Sequence, residues 1–434
     1  MCFSASFLFD LVRKSFQKVK DPRKGDVNIA LIDMLMSAFA MFSLKDSSLH
    51  AFDQRRKNER EVANLEQIYG IEDVPSDTRM RTVLDEVSPE EISPIFKDIV
   101  TRLQEGQVLK EMKFLGSYYL LSIDGTTYFS SKKIDCANCL QRRNSKTGEI
   151  TYHHQMLMAA IVHPSFSEVI PIAPEPIIKQ DGENKNDCES NASKRFFNKF
   201  RQEYPNLPII VLQDALYANA PHIRELNRHN LRYIIRVKKD DHKFLFDKAK
   251  ESLDKGRTTI IEETKEEIKY RYQFSNGLPL NKSNQNVLVN LVEYEEATND
   301  ETHYFSWITD IKVVKENVKL IEQGGRSRWK IENETINTMK NHGYNFGHNF
   351  GHGHNHLSVL LIFLMLLAFL VDQVQQLACH LWKKVKKKEK TKKKMWESIR
   401  NLFYALSFNS MEQIYEAIFY GYKIVGFEIL YDTG

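Results

Sequence analysis

The chain has 434 residues, 42% hydrophobic and 27% charged, with a formal net charge of +4. At about 150 residues per domain this excludes a single small domain and suggests two or three globular units with ample core. The charge excludes a uniformly basic protein: "KKVKKKEKTKKK" (383–394) holds nine lysines and one glutamate, and without that +8 the remainder is near −4.

Residues 1–110 read as a helical domain, and the frequent Arg and Lys in "DQRRKNERE" and "SDTRMRTVLDEV" make it a candidate for DNA binding, with ordinary basic helix faces as the alternative. "MCFSASFLFDLVRKSF" has an apolar stretch followed, not preceded, by basic residues, which suits a first amphipathic helix better than a signal peptide. With five cysteines in the chain, it points to a reducing cytoplasm. "DVNIALIDMLMSAFAMFSL" has helical periodicity, and "SPEEISPIFKDIVTRLQEG" opens on a Ser–Glu capping signal. From about residue 111 the pattern changes. "FLGSYYLLSIDGTTYFSS", "YHHQMLMAAIVHP" and "SEVIPIAPEPI" predict strands, and "CESNASKRFFNKFRQEYPN" predicts a helix. "LPIIVLQDALYANAPHIRELNRHN" predicts a buried strand over 208–213, then Asp214, then a helix from about 219; "LRYIIRVKK" adds another strand. Short apolar strands alternating with helices imply an α/β sheet. Over 240–314, alternating β-branched and aromatic residues predict antiparallel strands turning at "SNG" and "TNDE". Residues 315–377 read as helical around a glycine-histidine stretch, and 378–434 as a basic tail with C-terminal helices. The apolar run "LSVLLIFLMLLAFLV" (357–371) is shorter than the roughly 20 residues of a membrane span and predicts a buried helix.

Asp124 and Asp214 each follow an apolar strand, where an α/β sheet presents functional side chains. A lone aspartate there is usually a turn or cap residue. Two of them plus a glutamate on a later helix would supply the oxygen donors that Mg²⁺ or Mn²⁺ prefers, and two such ions about 4 Å apart suit phosphoryl transfer. Glu332 and Glu334 are both candidates for that third acid; two apart on a helix, they point to different faces, and Glu332 is the preferred one.

"LSIDGT", "IIVLQDALY" and "RWKIENE…MK" together resemble the three blocks of the DDE transposases, the insertion-sequence type with a β-strand insertion before the glutamate. The resemblance covers roughly 75–370, and its most specific part is the Arg328-Trp329-x-Ile331-Glu332 block. It implies a ribonuclease-H-like catalytic core and a metal-binding triad of Asp124, Asp214 and Glu332. It implies also that Arg328 and Lys340 hold DNA phosphates, and that Trp329 and Ile331 pack the helix. Two departures stand out: Gly325 occupies the position of the family's tyrosine, and Lys340 falls one residue later than the family's lysine. The 117 residues between Asp214 and Glu332 match the family's inserted β domain. Tyr217 is a further candidate for DNA contact, with packing as its alternative.

Cys136 and Cys139 form a C-x-x-C, and with His154 (or His153) and Cys188 they make a candidate structural Zn²⁺ site. The acidic stretch 181–189 is a candidate source of a fourth carboxylate, but Glu189 opens a predicted helix, where an acid suits the positive end of the helix dipole, and that reading is preferred. The histidines at 342, 348, 352, 354 and 356 are spaced by six, four, two and two, which fits no helical ligand pair. A DNA-facing or core-capping loop is expected there, ahead of a dedicated metal site.

The expected fold class is α/β: a ribonuclease-H-like mixed sheet flanked by helices, with an N-terminal helical domain (1–110) and an inserted antiparallel β domain (240–314). The core itself divides into 111–239 and 315–377. The expected function is a metal-dependent DNA transposase, cytoplasmic, prokaryotic and DNA-associated. Its expected partners are double-stranded transposon-end and target DNA, bound as a homodimer, with no membrane. The alternatives are a domesticated DDE nuclease that cuts without transposing, a non-catalytic DNA-binding regulator, and a histidine-rich membrane protein resting on 342–371.

Overall fold

A computed structural model describes residues 3–25, 27–179 and 186–423; the acidic residues 181–185 and the last eleven residues of the basic tail region lie outside it. The described chain divides into two compact units. One comprises residues 1–95 and 341–434, and the other residues 96–340.

The second unit is built on a mixed sheet. Its strands are β1 (Tyr119–Ser131), β2 (Leu140–Arg143), β3 (Ile150–Val162), β4 (Ile170–Ile177), β5 (Ile209–Gln213), β6 (Arg232–Arg236), β7 (Thr259–Lys265), β8 (Ile268–Pro279), β9 (Leu288–Ala297) and β10 (Thr302–Thr309). They lie in the order β2-β3-β1-β5-β6-β10-β9-β8-β7, with β4 also paired to β3. β1 is antiparallel to β3 but parallel to β5, and β5 is parallel to β6. The run β4-β3-β1-β5-β6 is the ribonuclease-H-like arrangement expected from the sequence. All five residues of β5, "IIVLQ", are buried, as a central strand covered on both faces requires.

The inserted strands do not form a separate sheet. β10 pairs antiparallel with β6, Ile308 opposite Ile235, so β10, β9, β8 and β7 extend the core sheet as a meander. "TNDE" is a turn, with Thr298 N–H donating to Glu301 O. "SNG" is not: it lies within β8 as a bulge between Ser275 and Leu278, with Gly277 at φ +69°. The tight turn is instead Glu266-Glu267, both at positive φ, between Lys265 and its partner Ile268. Positive φ at both central positions is the geometry that matches strand twist in a two-residue hairpin.

The first unit is helical and drawn from both ends of the sequence. Serine, threonine and asparagine side chains cap its helices: Ser4, Ser48, Asn58, Ser76, Thr391 and Ser410 each accept a first-turn N–H. Leu31–Ser43 packs against Leu357–Ala378, a 22-residue helix long and apolar enough to cross a membrane but buried within the unit. Asp372 lies inside that helix rather than ending it. Its carboxylate takes an ion pair from Lys45 at 2.6 Å and a hydrogen bond from the Tyr344 hydroxyl.

The glycine-histidine stretch caps the same helix. The Asp85 carboxylate accepts backbone N–H groups of His354, Asn355, His356 and Leu357, at 2.9–3.2 Å. A Cβ at Gly353 would collide with that carboxylate, so glycine is required there. The core-capping reading of this loop therefore describes what it does. The lysine block lies on two helices, His380–Glu389 and Lys392–Ala405, joined at Lys390 with φ +65°.

Candidate active site

The parallel pairing of β1 with β5 sets Tyr119 opposite Ile209 and Ser122 opposite Leu212. Two residues further along each chain stand Asp124, still within β1, and Asp214, the first residue past the end of β5. β1 does not end at Asp124, as the sequence suggested. It runs on to Ser131, paired with β3 alone past a bulge between Thr127 and Phe129. Asp214 caps the turn Ala215–Tyr217, its Oδ1 accepting from Leu216 N–H at 3.0 Å.

Glu332 arrives from the other side. Arg328, with only 8% of its side chain exposed, reaches Glu332 Oε1 at 2.9 Å and Asp124 Oδ2 at 3.6 Å. Its own backbone carbonyl accepts from Ser122 Oγ of β1 at 2.9 Å, which ties this turn to the strand bearing Asp124. Glu334 takes no part in these pairs. Trp329 is 43% exposed while Ile331 is fully buried, so of the two residues expected to pack this turn only Ile331 does.

Residues Ile331–Ile336 form a π-helical turn. A π turn takes up one residue more than an α turn, and such turns concentrate at functional sites. Lys340, eight residues after Glu332, thereby recovers the helix face that the seventh residue of a regular helix would occupy, and it is exposed. The displaced lysine and the π turn are thus one feature. The tyrosine-to-glycine departure also has a cause: a Cβ at Gly325 would lie 2.5 Å from the Trp307 indole of β10. Trp307 fills the space a larger side chain would need.

For Glu189 the sequence favours a helix-dipole role over that of a fourth carboxylate. In the structure it opens the helix Glu189–Glu203 and reaches the carboxylate cluster. A Cβ at Gly125 would collide with its carboxylate, and its Oε1 accepts the Tyr217 hydroxyl at 2.7 Å. Tyr217, expected as a DNA contact, is 2% exposed and lies beneath the carboxylates. Glu189 comes 65 residues after Asp124 and 25 before Asp214, and no periodicity marks it; the acidity of 181–189 and the Gly following Asp124, which leaves room for a second carboxylate, are its signals. Beside the turn, His222 Nε2 donates to Gln213 Oε1 at 2.6 Å, and burial pushes the imidazole down to about 4, so it is neutral near pH 7.

The four acids are electrostatic neighbours: the Asp214 charge acts on Glu189, and Glu332 and Glu189 act on Asp124. Burial, and next the neighbouring Glu332 carboxyl, push the Asp124 carboxyl up to about 7 against the pull of Arg328. Burial also raises Glu189; its hydrogen bond from Tyr217 opposes this, and the Asp214 charge adds to it. Oxygen donors crowded with a single guanidinium between them suit a hard divalent cation better than a soft one.

Cys136, Cys139 and His154 come together elsewhere in the unit, with their ligand atoms within 4.8 Å of one another. Cys188 does not join them among the described residues; it is exposed at the N-cap of Glu189–Glu203.

The fold and this cluster of acids define a ribonuclease-H-like protein with an acidic site just past the parallel pairing of β1 with β5. The chain belongs to the DDE transposases: the family model described as "Transposase DDE domain" matches residues 116–370. Membership implies DNA cleavage and transfer. Among solved structures the chain is similar to a piggyBac transposase synaptic complex with hairpin DNA, at 12% identity and a TM-score of 0.43, over 96% of this chain and 80% of that one. No curated protein matches.

Proposed function

We propose that this is an insertion-sequence transposase that nicks transposon-end DNA and joins the freed 3′-hydroxyl to a second strand, using Asp124, Asp214 and Glu332 with Glu189 as a fourth acid. The observation that carries the reading is that Asp124 and Asp214 each come two residues after the last parallel pair of β1 with β5, Ser122 with Leu212, with Glu332 drawn to Asp124 through Arg328.

The donor set fits Mg²⁺ or Mn²⁺. It is all oxygen, and its Asp124 carboxyl is held near 7 by burial and a like neighbour, so a divalent cation would relieve a repulsion already present. Asp124, Asp214 and Glu332 would hold the ions. When bound they would polarise the scissile phosphate and acidify the attacking hydroxyl. The chain's own groups do the positioning. Arg328 orients Glu332 and Asp124, Tyr217 fixes Glu189, and the Asp214 cap on Leu216 N–H holds that carboxylate at the strand end. Lys340 and the lysine helices would meet DNA phosphates without reading sequence. Two transposon ends would be held by a homodimer.

The test is a cleavage assay on duplex DNA carrying the ends that flank the gene, with Mg²⁺ or Mn²⁺. Asp124→Ala, Asp214→Ala and Glu332→Ala are each expected to abolish nicking while leaving gel-shift binding intact. Wild-type nicking by any of the three would remove that residue from the assignment. Cleavage without joining by the wild-type protein would convert the reading to a nuclease.

A further inference from the structure

We infer that Cys136, Cys139 and His154 are ligands of one structural Zn²⁺ ion that staples the β1–β2 connection onto β3. The cysteine Sγ atoms are 3.8 Å apart, and they lie 3.5 Å (Cys136) and 3.3 Å (Cys139) from His154 Nε2. A tetrahedral zinc with Zn–S of about 2.3 Å and Zn–N of about 2.05 Å separates two sulfurs by about 3.8 Å and a sulfur from a nitrogen by about 3.5 Å. The three observed separations are therefore those of three corners of a zinc tetrahedron. They are not those of a disulfide, whose sulfurs lie about 2.05 Å apart.

The donors are placed by independent elements. Cys139 N–H donates to Cys136 O at 3.1 Å, closing the C-x-x-C into a turn. His154 sits on β3 opposite Phe129, its ring stacked on Tyr128 at 5.8 Å and packed by Phe129. Cys139 and His154 are 0% and 1% exposed, so the ion would be shielded. Two sulfurs and an imidazole select a soft or borderline ion, unlike the oxygen donors around Asp124. The two sites are roughly 15 Å apart along β1.

The hairpin needs such a tie. β2 is a four-residue edge strand, Leu140–Arg143, and three of its four side chains are exposed. Strands this short contribute little stability on their own. Beyond the β2–β3 ladder, this region is tied by the Asn186 side chain on the Gln141 backbone and by an exposed Lys132–Glu149 ion pair, both open to solvent. The ion fixes this edge against the strand that continues from Asp124. Its fourth corner is left for another donor or a solvent molecule.

Metal analysis of the full-length protein, purified without chelator, tests this. About one zinc per chain is expected, lost in Cys136→Ser and in His154→Ala and retained in Cys188→Ser. X-ray absorption on the wild-type protein is expected to count two sulfur and two nitrogen or oxygen neighbours, which settles the ligand set even if the variants fold poorly. Less than about a tenth of a zinc per chain, retention of zinc by the Cys136→Ser/Cys139→Ser double variant, loss of zinc in Cys188→Ser, or a shell with three or more sulfurs would each overturn it. Strand-cleavage activity plays no part in these readouts, so they stand apart from the assignment of the carboxylates.

Discussion

Replacing Asp124 by asparagine should stabilise the metal-free protein at alkaline pH, although it removes a proposed metal ligand. The carboxyl is raised from an ordinary 3.8 to about 7 by burial and by Glu332. A raised acid keeps its proton in the folded state after the unfolded chain has lost its own. Stability is therefore lost as pH climbs from about 4 to about 7 and is level beyond. Each pH unit of that interval is worth about 1.4 kcal/mol, which bounds the penalty at roughly 4 kcal/mol. With 22% of the side chain still exposed, about 2 kcal/mol is the working expectation. Urea unfolding in EDTA at pH 8 and at pH 4 measures it. Asp124→Asn should gain about 2 kcal/mol at pH 8 and almost nothing at pH 4, and added Mn²⁺ should stabilise only the wild type. A variant less stable than wild type at pH 8, or a difference independent of pH, would refute the view that crowded carboxylates set the local energetics.

Glu189→Gln should lower strand cleavage by at least about tenfold with gel-shift affinity unchanged; unchanged cleavage would return Glu189 to a capping role. Gly325→Tyr should cost at least about 3 kcal/mol by driving the ring into Trp307, and Trp307→Ala in the same chain should recover part of it, read by thermal unfolding. Asp372→Ala strands the Lys45 ammonium in the core and should cost about 3–5 kcal/mol, whereas Lys45→Met added to it should restore much of that loss. Replacing Lys386, Lys387 and Lys388 with glutamine should flatten the dependence of log binding constant on log salt by up to roughly 3 if all three meet phosphates; an unchanged slope places DNA elsewhere.

What could be read in the sequence was local. The apolar runs leading into Asp124 and Asp214, the helix carrying Glu332, and the β-rich insertion each leave a mark within ten or twenty residues. Long-range pairing leaves none, so the union of β10 with β6, which joins the inserted strands to the core sheet, could not be seen in alternation alone. The same holds for Glu189, whose reach depends on where its helix packs, and for Cys188, close to Glu189 in sequence yet outside the Cys136–Cys139–His154 group. The grouping of Leu357–Ala378 with the N-terminal helices is likewise a matter of tertiary contact across the whole length of the chain. Lys340 is the instructive middle case. Its one-residue displacement looked like a departure from the family, and the π turn at 331–336 absorbs it.

The division of the helical unit between the two ends of the chain has a consequence during synthesis. Leu31–Ser43, with twelve of its thirteen side chains buried in the finished protein, packs against a helix that begins only at Leu357. At roughly 5–20 residues per second a ribosome needs about 15–60 s to make the intervening stretch. Throughout that interval an almost wholly apolar segment waits without its partner, a standing invitation to chaperones and to aggregation. A truncated message would yield chains able to complete the sheet but never this helical unit, so the cell's supply of finished protein depends on its capacity to shelter nascent chains as much as on transcription.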